Sequence, residues 1–229
     1  NVKHEQLVQS NITDWDFMIS RIDVSGMICI ISNGNLTVKK PAMDEEAKLD
    51  LTYGADILEF YGDMDARTQT TSVKTLSWDF ENQKVITTES EDSNVPEEGS
   101  FTRSDLAAIV KQPLEMRTTA SFSQEETQAI ANAKKMRQDL SKINAKVKYQ
   151  GIASVLPGDF ININGTGKNF NGKAFVSAIQ HEYSDGDWIT EATLGWNEQF
   201  FTEQIQPGYP ASATGQSSSL QGLQIGVVT

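Results

Sequence analysis

The chain has 229 residues, of which 38% are hydrophobic and 22% charged, and its formal net charge is -12. This is enough for one large domain or two small ones, and too apolar for a disordered chain. The acidity argues against a nucleic-acid backbone or an anionic membrane surface as partner, since both need clustered Lys and Arg, and no stretch approaches the roughly 18 apolar residues of a spanning helix.

The first predicted element is a helix over residues 14–25. Thr13 or Asp14 can cap it, and Asp16 in the first turn favours the dipole. Trp15, Met18, Ile19 and Ile22 fall at helical spacing on one stripe, and Gly26 suits a left-handed stop. Two strands follow, Met27–Ile31 and Leu36–Lys39. The Asn33-Gly34 pair between them is a strong short-range hairpin signal.

Residues 41–48 read as a polar connector. Strands are predicted over Ile57–Tyr61, Thr70–Asp79 and Val85–Thr88. The acidic stretch 89–105, with Pro96 and Gly99, reads as an exposed loop, and a short helix follows over Asp105–Lys111. Ser123 and Glu126 form a capping box at the head of a longer helix. Its apolar stripe is Ala129, Ile130, Ala133, Met136, Leu140 and Ile143.

From there the pattern turns to β, with strands over Lys146–Ser154, Phe160–Asn164, Lys173–Tyr183 and Trp188–Trp196. Pro157-Gly158 and Asp185-Gly186 supply turns. The spacing predicts an antiparallel meander, either a small barrel or half of one. The fold class is therefore α+β and mainly β, with a helix–hairpin unit beside the barrel-like strands. The expected division is a helix–hairpin unit over 1–50, a second barrel-like unit over 51–206 with an inserted helix near 123–143, and a segment over 207–229. That last segment combines a Gly/Pro/Ser linker with a first strand, Leu223–Thr229, of a further domain. The chain begins without Met, shows no charged-then-apolar leader and stops inside an apolar run, so both ends read as cuts in a longer polypeptide.

Residues that could carry chemistry each have a plainer reading. Cys29, alone in an apolar run, reads as a buried inert thiol. His4 and His181 have no companion ligands at metal-binding spacing. Gly165-Thr166-Gly167-Lys168 lacks the first Gly, the Ser or Thr after Lys, and the helix that a phosphate loop needs. Asp63 and Asp65 could face one way and bind a cation or act as an acid/base pair, but a solvated loop edge is the simpler reading. Trp15, Trp78, Trp188 and Trp196 are too scattered to form a sugar-stacking platform. No catalytic, cofactor or metal site is expected.

Three segments together resemble the phage-tail hub proteins, the VgrG-type spike proteins of type VI secretion and related contractile injection systems. The first is Ser10-Asn11-Ile12-Thr13-Asp14-Trp15-Asp16-Phe17-Met18 with Arg21 and Gly26-Met27. The second runs from Leu156-Pro157-Gly158-Asp159-Phe160 through Phe175-Val176-Ser177-Ala178-Ile179-Gln180-His181 to Gly186-Asp187-Trp188 and Leu194-Gly195. The third, Gln221 to Thr229, looks like the entry into an OB-fold. Arg21-Ile22-Asp23 departs from the usual Arg-Ala-Glu-like run, but Asp23 keeps an acid there.

The resemblance implies a non-enzymatic structural hub without cofactors. It implies a homotrimeric, pseudo-hexameric ring joining a hexameric tail-tube protein to a spike continued by the same chain. It also implies assembly in the bacterial cytoplasm and release to the outside or into a target cell on contraction. The runner-up reading is a carbohydrate-binding or adhesin-type module of a secreted protein, and a third is a fragment of a cell-wall hydrolase, which would need Asp63 and Asp65 as its convergent acids.

Overall fold

The computed structural model describes residues 7–9, 12–32, 34–118 and 120–204. The segment 207–229, expected to hold a linker and a first strand, lies outside the described residues, as does His4.

Helix α1 spans Asp14–Val24. The Thr13 hydroxyl accepts the Asp16 amide hydrogen at 3.1 Å, satisfying one of the donors a helix start leaves open. Gly26 follows at φ +65°, and a Cβ there would sit 3.4 Å from Ala133. Strands β1 (Ile28–Ser32) and β2 (Asn35–Lys39) pair as a hairpin in the register Ile28 to Lys39 through Ser32 to Asn35.

Six strands make the main sheet: β3 (Asp50–Thr52), β4 (Ile57–Met64), β8 (Ile143–Gln150), β9 (Phe160–Asn164), β10 (Gly172–Ser184) and β11 (Asp187–Leu194). Their order is β3-β9-β10-β11-β8-β4. The sheet curls as a half-barrel, and an isolated bridge between Tyr53 and Ile57 brings its two edge strands together at one end. Alternation along the strands fills the concave side: Ala145, Val147 and Tyr149 from β8, Ile161 and Ile163 from β9, Ala174 and Val176 from β10, and Ala192 and Leu194 from β11. Burying a Val, Leu or Ile side chain contributes roughly 1.5–3 kcal/mol, so this interior is the main stabilising layer. On the convex side, Glu59, Lys148, Glu191 and Lys146 form a ladder of ion pairs, the pattern of a solvated face.

The mainly β, barrel-like fold is thus present, with one change of order. The four strands from 143 to 194 are contiguous and antiparallel, but β8 pairs with β11 and not with β9. They are therefore not a simple meander. Residues 151–159 carry the chain from β8 across the sheet end, and β3, which the sequence reading omits, lies parallel to β9 on its far side.

A second sheet has the order β6-β5-β7, from β5 (Val73–Asp79), β6 (Lys84–Glu89) and β7 (Leu114–Arg117). Helix α2 (Arg103–Val110) connects β6 to β7, which runs parallel to β5. Helix α3 (Gln124–Leu140) has its capping box from Ser123 and Glu126 and packs on β5 and β6. A smaller apolar cluster of Ile28, Met43, Val95, Leu140, Phe160 and Phe175 binds the hairpin, the end of α3 and the back of the main sheet. Gly158, at φ +92°, lies so close to Ile28 that any side chain there would overlap it.

Two sequence expectations change. The 41–48 connector is not wholly polar surface, because Pro41 and Met43 are buried. The 89–105 loop is exposed only in part: Val95 is buried, and Glu98 bridges to Gly172 of β10.

Candidate functional site

The most elaborate chemistry in the described residues is a pair of charge networks on α3. In the first, Arg137 of α3 pairs with Asp23 of α1, and both side chains are almost fully buried. The Arg137 guanidinium also donates to the carbonyls of Asn197 at 3.1 Å and Gln199 at 2.7 Å, and it lies 4.2 Å from the Trp196 ring centroid. The second Asp23 oxygen accepts the Phe201 amide hydrogen at 2.6 Å. Burial pulls the guanidinium down from its ordinary range, opposed by the Asp23 charge. One residue of α3 therefore ties α1 to residues 196–201, which lead into α4 (Phe201–Gln204). Lys134 adds a second tie to that segment through Glu203 at 2.6 Å.

The second network secures the acidic loop. Asp139 accepts from Lys135 and Ser93, and Arg103 reaches Glu97 at 3.0 Å. Lys142, just past α3, donates to Glu97 and to the carbonyls of Glu98 and Phe101. Burial alone would raise the Glu97 carboxyl, but the hydrogen bond and charge of Lys142, with Arg103, hold it below the usual range. Glu98 goes the other way. The residue is half-buried, but its carboxyl sits against the backbone of Phe175, and burial pushes it up to about 8. A cleft of about 500 Å³ beside this network is lined by Arg103, Lys135, Asp139 and Glu97. Those four are already paired with one another or their neighbours. The arrangement fixes the acidic loop against the end of α3.

The candidate residues read from the sequence do not come together. Cys29 is not in the core as expected but half-buried, because the register pairs it with Val38 and places it with Ile31, Leu36 and Val38 on the outer hairpin face. Those three are 61%, 47% and 40% exposed, so the hairpin presents one apolar side to solvent while Ile28 and Ile30 face the protein. Asp63 lies on β4 opposite Asn144. Asp65 lies beyond the strand, where the Arg67 side chain, hydrogen-bonded to its carboxyl at 2.6 Å, holds that carboxyl below the usual range. Residues 165–171 connect β9 to β10, and Asn171 accepts from both the amide and the hydroxyl of Thr166. Trp196 stacks on Phe175, Trp188 contacts His181, and Trp15 and Trp78 are partly exposed on different elements. Among the described residues no group of three or more His, Cys, Asp or Glu could hold a metal ion, and no helix is long and apolar enough to cross a membrane.

Sequence reasoning missed the buried charges Lys134, Arg137, Asp139 and Lys142. Helical periodicity marks the apolar stripe of α3 and takes the opposite side as solvated. Here both sides are covered, by α1 and the 196–204 segment on one and by the acidic loop on another. The one signal in the sequence is Asp23, the retained acid, which proves to be the Arg137 partner.

This fold, a curled main sheet backed by a small sheet and a central helix, is that of phage tail proteins. It is similar to the 43 kDa tail protein of prophage MuSo2 from Shewanella oneidensis, at 12% identity and a TM-score of 0.54, over 83% of this chain and 55% of that one. It is also similar to a tail protein from Neisseria meningitidis MC58, at 13% identity and a TM-score of 0.56, over 86% of this chain and 58% of that one. The chain spans a little over half the length of these proteins. The family model described as the Alg8 N-terminal domain matches residues 1–185, and the chain belongs to that family. No curated protein matches the sequence.

Proposed function

We propose that this chain is a non-enzymatic structural part of a phage-tail-like or contractile injection particle. Within it the chain forms part of a VgrG-type hub: a homotrimeric, pseudo-hexameric ring between a hexameric tube and a spike continued by the same polypeptide. On this reading the particle is assembled in the bacterial cytoplasm and delivered outward on contraction.

The observation that carries the proposal is the tail-protein fold, with its polar chemistry spent on internal ties. Arg137 joins α1, α3 and the segment that leaves the barrel, which suits a part that must transmit force without deforming. Exposed apolar side chains on the hairpin, in a chain this acidic, suit a protein that is covered on assembly. The test is the subunit count of the full reading-frame product by light scattering. Three subunits per particle supports the hub, and a monomer at all concentrations overturns it.

A further inference from the structure

The ring of His181 is held by a specific set of bonds. It lies on β10, on the same face as the concave interior, opposite Thr190 of β11 and diagonal to Trp188. The Trp188 indole Nε1 donates to His181 Nδ1 at 3.3 Å. The Thr190 hydroxyl is 2.9 Å from the same nitrogen and accepts the Ile152 amide hydrogen at 3.3 Å. Thr190 is fully buried, whereas His181 is exposed. The indole is itself confined, since a Cβ at Gly151 would overlap it.

Donor chemistry fixes the state of this set. An indole N–H can only donate, so the bond from Trp188 requires the Nδ1 lone pair that the tautomer with its proton on Nε2 supplies. The Thr190 hydrogen also points at Nδ1. A proton arriving at Nδ1 turns the acceptor into a donor. Thr190 can follow by rotating its hydroxyl and accepting. Trp188 cannot, and its N–H edge, the positive edge of the ring, is left facing a cation. Among the described residues the other titratable groups on this face are Tyr183 along β10 and Tyr149 opposite Thr190 on β8. The 151–154 connection brings none, and alternation places Glu182, Glu191 and Lys148 on the other face. Among the described residues no carboxylate on this face is placed to accept from the protonated ring.

We propose that the rim hairpin of the barrel carries a proton switch, in which protonation of His181 Nδ1 releases the Trp188 indole while Thr190 is retained with its hydrogen bond reversed. The inference does not depend on the hub assignment.

The test is to follow the Trp188 indole N–H and the His181 ring of labelled protein by NMR across a pH series. Trp188→Phe identifies the indole resonance. The proposal expects that resonance to shift in step with the His181 ring. It expects the shift to vanish in His181→Asn and to persist in His4→Gln. An indole resonance that stays fixed while the ring titrates overturns the switch. So does a shift that survives in His181→Asn or disappears in His4→Gln.

Discussion

Asp23 and Arg137, 114 positions apart in the chain, form an ion pair with only 6% and 5% of their side chains exposed. A buried pair of this kind is weak evidence for net stability, because desolvating two charges offsets most of their attraction. Its value lies in what it joins: the first helix, the central helix and the backbone at Asn197, Gln199 and Phe201.

Breaking the pair from one side therefore costs much more than replacing it. Asp23→Ala leaves an uncompensated buried guanidinium, and urea unfolding is expected to show a loss of about 3–5 kcal/mol. The double variant Asp23→Ala with Arg137→Met is expected to lose clearly less than the sum of the two single changes. Additive losses would mean that the two residues do not act as a unit.

Glu98 gives the protein a pH dependence of known sign. Its folded pKa of about 8 lies above the ordinary value of 4.5. Between those values the folded state keeps a proton that the unfolded state releases, so stability is full below the lower value and falls as pH rises towards the upper one. Glu98→Gln removes that slope. The variant is expected to be more stable than the parent at pH 7.5, by on the order of 4 kcal/mol, and equal to it near pH 4. Denaturant midpoints across that range check it, and parallel profiles for the two proteins would refute it.

Thr75 and Thr88 face each other across β5 and β6 beneath α3, and neither buried hydroxyl has a hydrogen-bond partner. Valine has the same shape without the hydroxyl, and removing an unpaired buried polar group recovers its desolvation cost. Thr88→Val is expected to stabilise the protein by about 1 kcal/mol, read from the urea midpoint. A loss of similar size would mean that the hydroxyl is satisfied.

The sequence makes some parts of this fold legible and hides others for physical reasons. Local signals place α1, the Asn33-Gly34 hairpin, the Ser123 cap and β9 through β11, because caps, turns and alternation are written in neighbouring residues. β3 and β7 escape, being three and four residues long and defined by parallel partners far away in the chain. The position of β8 escapes because alternation fixes which face is buried and says nothing of which strand lies alongside. The buried charges of α3 escape because helical periodicity assumes one solvated side, and Cys29 is misplaced because an apolar run does not reveal which of its faces is covered.

The proposed trimeric hub stands or falls on the mass of the full-length polypeptide in solution, measured by light scattering across a concentration series. Three subunits that stay together on dilution are expected. One subunit at every concentration rules the hub out.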